Sequence, residues 1–65
     1  MYIKLTERIY VDPETVAIVS QHIWATGSSV DVFFKAEHLG TFMTHGEEAD
    51  AVWANWKAYI DSAKQ

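Results

Sequence analysis

The stretch THGEEADAVWANWKAYIDSAK, residues 44–64, decides the fold. At roughly 100° per residue, Ala49, Val52, Trp53, Trp56, Tyr59, Ile60 and Ala63 fall on one stripe about 120° wide. Glu47, Asp50, Ala54, Ala58 and Asp61 cover the opposite side. Thr44 and Glu47 have the spacing of a capping box, in which the hydroxyl caps and the carboxylate reaches back. Glu47, Glu48 and Asp50 crowd the first turn and Lys64 sits in the last, as the helix macrodipole prefers. An amphipathic helix with this stripe has to close over an apolar surface. Val52, Trp56 and Ile60 lie nearest the stripe centre, and Trp53 and Tyr59 lie at its edges.

The rest of the chain supplies that surface as strands. Ile3 and Leu5 alternate with Lys4 and Thr6, and Ile9 and Val11 alternate with Tyr10, which predicts an N-terminal strand segment. Asp12-Pro13-Glu14-Thr15 predicts a turn or single helical turn capped by the aspartate. Val16 to Trp24 is apolar on both faces near its start and rich in β-branched residues, which predicts a buried strand. Ala25 to Ser29 reads as a loop, Val30 to Lys35 as a strand, and Leu39 to Thr44 as its hairpin partner across Ala36-Glu37-His38. A turn centred on Glu37-His38 sets Phe33 opposite Phe42 on one face and Val32 opposite Met43 on the other. The expected architecture is α+β: a small curved antiparallel sheet of about four strands, packed by one C-terminal amphipathic helix, with residues 1–65 forming one small domain.

Composition narrows the function. The chain has 65 residues, 49% hydrophobic and 14% aromatic, so it carries enough apolar surface to fold and too little length for two domains. With no cysteine there is no thiolate nucleophile, disulfide framework or cysteine-based metal site. No apolar run approaches the ~20 residues of a membrane span, and the alternating N-terminus is not a signal-peptide core. A cytoplasmic setting, in a bacterium or a phage-infected host, is therefore expected. Nine carboxylates against five cations give a net charge of −4. Lys4, Arg8, Lys35, Lys57 and Lys64 are scattered singly, so the basic stripe that binds a nucleic-acid polymer is absent.

Catalytic and metal patterns are equally thin. His22, His38 and His45 lack the tight spacing that sets two metal ligands on one element, so no metal site and no cofactor are expected. Ser20, Ser28 or Ser29 with His22 and Asp31 supply triad residue types, but no nucleophile-elbow glycine pattern surrounds any serine. Gly27-Ser28-Ser29 lacks the second glycine and the lysine of a P-loop. The chain reads as a binding protein without catalytic machinery.

The aromatic residues carry the sharper expectation. Three Trp, three Tyr and three Phe exceed what one small core encloses, which predicts a homodimer or larger assembly. A helical aromatic stripe ordinarily packs on its sheet. Rings at its edges, Trp53 and Tyr59, are free to stack on a purine, with Lys57 or Lys35 for phosphate and Ser28 and Ser29 as loop donors. Phe33 and Phe42, on a face shared with Asp31, Lys35 and Thr44, form a patch covered either by the helix or by a second subunit. The predicted partners are another copy of the chain and a small nucleotide or a host protein.

The element order resembles the FlbD family of small flagellar-operon proteins. The likeness runs from Ile3-Lys4-Leu5-Thr6 through the strand ending in Asp12-Pro13-Glu14, with Val16 behind it, and Ser29-Val30-Asp31-Val32 to an acidic-capped helix. It implies a structural or protein-interaction module associated with motility and carries no catalytic residues. The chain departs from that pattern in its tryptophan-rich helix and in lacking a glycine turn at residues 36–38. In size, acidity and aromatic content it is also similar to small phage-encoded anti-defence proteins that sequester nucleotide signals. That likeness implies a homo-oligomer that holds a nucleotide without cleaving it.

Overall fold

Chain reversal at Glu7-Arg8 splits the N-terminal segment into two short antiparallel strands, β1 (Ile3–Thr6) and β2 (Ile9–Val11). A computed structural model describes residues 1–63; Lys64, expected in the last helical turn, lies outside the described residues. A 3₁₀ turn at Pro13–Thr15 follows, capped as expected by Asp12, whose carboxylate accepts from the Glu14 N–H at 3.1 Å. Then come β3 (Val16–Trp24), β4 (Gly27–Phe34), a second 3₁₀ turn (Glu37–Leu39), β5 (Thr41–His45) and one long helix, α1 (Gly46–Ala63). The class is α+β as the sequence implied. The strands number five, in a two-stranded sheet β1-β2 and a three-stranded antiparallel sheet β3-β4-β5, instead of about four in one sheet. No helix among the described residues is long and apolar enough to cross a membrane.

β1 contains a bulge. Ile3 pairs with Val11 and Lys4 with Tyr10, but Thr6 pairs with Ile9, so Leu5 is the extra residue and has no ladder partner. Its side chain is buried at 1% exposure, and the carbonyl freed by the bulge accepts from Asn55 Nδ2 at 2.6 Å. That bond satisfies a backbone acceptor next to the core and ties the hairpin to α1.

The three-stranded sheet has two unlike faces. Val16, Val19, Val30, Val32, Phe34, Phe42 and Thr44 lie on the inner face, where Ala49 and Val52 of α1 and Leu5 and Val11 of the hairpin complete the core. Thr44 does not cap the helix as its spacing with Glu47 suggested. It lies within β5 at 2% exposure, and its hydroxyl donates to the Val30 carbonyl at 3.2 Å. Burial of the hydroxyl beside the ladder outweighs capping because an exposed helix start can be served by water. The opposite face has three lateral rows, Ile18-Phe33-Thr41, Ser20-Asp31-Met43 and His22-Ser29-His45, with Trp24 beyond them.

Two boundaries differ from expectation. The loop predicted over Ala25–Ser29 shrinks to the two residues Ala25-Thr26, because Gly27, Ser28 and Ser29 pair with Trp24, Ile23 and His22. The β4–β5 connection runs longer than Ala36-Glu37-His38: Leu39 completes the 3₁₀ turn and Gly40 adopts φ 73°, ψ −152° before β5 begins at Thr41. This slips the register by one residue. Phe33 therefore pairs with Thr41 and Phe42 with Val32, which places Phe33 and Phe42 on opposite faces of the sheet. The backbone region occupied by Gly40 is essentially closed to residues with a Cβ. Gly40→Ala should cost about 1–2 kcal/mol, read as a fall in urea midpoint at unchanged slope, although open space surrounds that position.

Candidate functional site

The sequence-predicted site residues do not converge. Trp53 is half-buried against the core, and Tyr59 is half-buried with its ring 5.5 Å from that of Trp56. Lys57 is exposed, and at 3.6 residues per turn it points about 160° away from Tyr59. Ser28 donates to Asp50 Oδ1 at 2.7 Å, which fastens the start of β4 to the first turns of α1 and occupies that hydroxyl. Ser29, expected to be a loop donor, is buried at 3% exposure between His22 and His45. Lys35 follows the far end of β4, about 24 Å along the strand from Ser28, and its backbone N–H donates to the Thr15 carbonyl at 2.8 Å. One small ligand cannot span these groups.

The residue types of a triad do meet on the outer face. Ser20 Oγ lies 3.3 Å from His22 Nε2, and Asp31 Oδ2 lies 3.6 Å from the same nitrogen, while the His22 ring stacks on Trp24 with centroids 5.8 Å apart. Serine activation divides the imidazole, with the nucleophile on one ring nitrogen and the orienting carboxylate on the other. Here both partners share one nitrogen on an open sheet face. Among the described residues no three His, Asp or Glu side chains gather as a metal would require.

An aromatic-lined trough lies elsewhere, between the hairpin and the inner face of the sheet. One part, of about 280 Å³, is lined by Arg8, Ile9, Tyr10, Val11, Phe34 and Phe42. The adjoining part, of about 320 Å³, is lined by Tyr2, Tyr10, Val11, Asp12, Thr15, Phe34 and Leu39. Tyr10, Val11 and Phe34 line both parts. Phe34 and Phe42 stack along its floor at 6.4 Å and 22°. Tyr2 and Tyr10 stand on the rim at 72% and 57% exposure. The trough exists because α1 covers the sheet at Val30 and Thr44, while the hairpin covers the Phe34 end incompletely.

A wider open groove of about 610 Å³ runs between the β1–β2 turn and the start of α1. Its cations are already engaged: Lys4 pairs with Glu7 at 3.1 Å and Arg8 with Glu48 at 2.6 Å. The Glu48 hydrogen bond, reinforced by charge attraction, raises the Arg8 guanidinium above its ordinary pKa. This surface is a set of mutually satisfied charges, whereas the trough presents bare ring faces.

Sequence reasoning placed the ligand aromatics on the helix and missed Tyr2, Tyr10, Phe34 and Leu39. No local spacing links those positions. They meet only because the hairpin folds back over the end of β4. No family model, curated protein or solved structure matches this chain, so the trough and the open outer face of the sheet are the observations that bear on its function.

Proposed function

We propose that this chain is a non-catalytic binding protein that works as a homo-oligomer and sequesters a flat aromatic ligand of the nucleoside type in the trough. The supporting observation is a pair of adjoining hollows that share Tyr10 and Phe34, with Phe42 lining one and Tyr2 the other. Ring faces of this kind stack on a base with ~1–3 kcal/mol per base and without sequence preference. Arg8 in one part is already paired with Glu48, and the other part contains Asp12, which suits a base with an uncharged sugar better than a phosphate. The oligomeric part of the reading draws on the outer sheet face, where Ile18, Trp24 and Met43 are each more than half exposed and Phe33 is 38% exposed. Soluble monomers rarely leave such a face open.

Titration calorimetry against nucleosides and against cyclic and linear nucleotides tests the ligand. Tyr10→Ala should weaken binding by roughly five- to a hundredfold, the equivalent of one lost stacking contact. Because Tyr10 is mostly exposed, its unfolding midpoint should stay near that of the parent. Absence of heat with every compound overturns the ligand reading. Capture of a protein through the outer face would then favour the interaction-module reading that the flagellar resemblance implies.

A further inference from the structure

β3 was expected to be buried, and it is instead an edge strand. The sheet order β3-β4-β5 leaves one side of its nine residues without a ladder partner among the described residues. Folded proteins protect such edges with lysine, proline, inward-pointing charges or short length. Val16 to Trp24 has none of these, containing no Asp, Glu, Lys, Arg or Pro in a chain of net charge −4, and its one register irregularity, between Val16 and Ile18, lies at its start, outside the run from Ile18 to Trp24. The other edge, β5, is only five residues long and runs directly into the acidic first turn of α1. Ile18, Ile23 and Trp24 of β3 are exposed by 58%, 73% and 58%.

We propose that β3 pairs antiparallel with β3 of a second copy about a two-fold axis at Gln21, joining the two sheets into one of six strands. The inference rests on the homo-oligomer reading above and names its interface. Strand chemistry selects the register. With the axis at Gln21, Ile18 faces Trp24 of the second copy, Val19 faces Ile23, Ser20 faces His22, and the two Gln21 amides meet on the axis. Apolar side chains thus oppose apolar ones on both faces, and polar oppose polar. Moving the axis one position to Ser20 sets Val16 against Trp24 and Ala17 against Ile23, but it also sets Ile18 against His22 and Val19 against Gln21, mixing the classes in the two pairs nearest the axis. The Gln21 axis also places no two carboxylates across the seam, so the acidity of the chain does not oppose it. Such an isologous contact closes on itself and stops at a dimer.

Three measurements on the full chain decide the matter. Sedimentation equilibrium should show a dimer. Ile23→Lys, at a position exposed enough for the fold to survive, should raise the dimer dissociation constant roughly tenfold or more by setting a charge against Val19 of the second copy, with the far-ultraviolet dichroism unchanged. Gln21→Cys should be converted to a covalent dimer by a short bis-maleimide, since the chain has no other cysteine, while Asp61→Cys on the exposed side of α1 should not. A monomer at all concentrations overturns the homo-oligomer reading together with this interface. A dimer that resists Ile23→Lys, or that fails to cross-link at position 21, keeps the homo-oligomer and overturns the β3 pairing.

Discussion

Leu5→Ala is expected to unfold the protein. Leu5 is among the largest fully buried side chains and joins the hairpin to Val30, Val32 and Val52 in the shared core. Truncating a buried leucine costs ~2–5 kcal/mol, because the transfer energy of the lost methyl groups is joined by the energy of the cavity left behind. A domain of this length has only a few kcal/mol in hand. The bulge makes collapse around the cavity difficult, since the Leu5 carbonyl is held by Asn55 and cannot move with the side chain. Thermal and urea melts of Leu5→Ala should show loss of the cooperative transition or a midpoint near zero denaturant. Asn55→Ala isolates the polar half of the joint, and should cost ~1–3 kcal/mol by leaving that carbonyl unpaired. A Leu5→Ala protein as stable as the parent would remove the hairpin from the core.

Trp56→Ala and Trp53→Ala should destabilise by similar amounts, about 2–3 kcal/mol each, below the ~3–5 kcal/mol of a fully buried aromatic. From the stripe alone, Trp56 belongs to the centre of the buried face and Trp53 to an edge that is free to bind. In the structure both rings are half-buried and packed against the same core, and only Ala49 and Val52 of α1 are fully covered. Beyond Val52 the described part of α1 has no fully buried residue, so its later rings shield a core margin without entering its centre. Trp56 also loses its contact with the Tyr59 ring. Urea midpoints of the two variants settle the comparison. An unchanged midpoint for Trp53→Ala would return that residue to the list of ligand-facing rings.

The aromatic content was a sound signal of unsatisfied surface and a poor guide to its location. Counting nine rings against a small core pointed to exposed aromatic surface, and the structure leaves Tyr2, Tyr10, Trp24 and Phe33 exposed. The ring pair chosen from helical spacing, Trp53 and Tyr59, is half-packed instead. Helical periodicity reports which side of an element is apolar. It does not report where along its length the covering layer ends.

Local sequence was enough for the class and the principal elements: the helical stripe from Ala49 to Ile60, the Asp12-capped turn, and the alternation in β1, β2 and β4. Those features depend on residues close in the chain, where side-chain period and capping chemistry act directly. The register and the faces were set by packing between segments far apart in the chain. Gly40 in a conformation reserved for glycine moved β5 by one position, and a one-residue slip sends every side chain to the other face, which separated Phe33 from Phe42. Packing also decided that Val16 to Trp24 forms an edge, because a run apolar on both faces reads alike in the middle of a sheet and at its margin. The bulge at Leu5, its bond to Asn55 fifty residues away, and the trough under Tyr10 arise from contacts between distant segments. No local pattern encodes them, since their energy is realised only when the hairpin, the sheet and the helix are packed together.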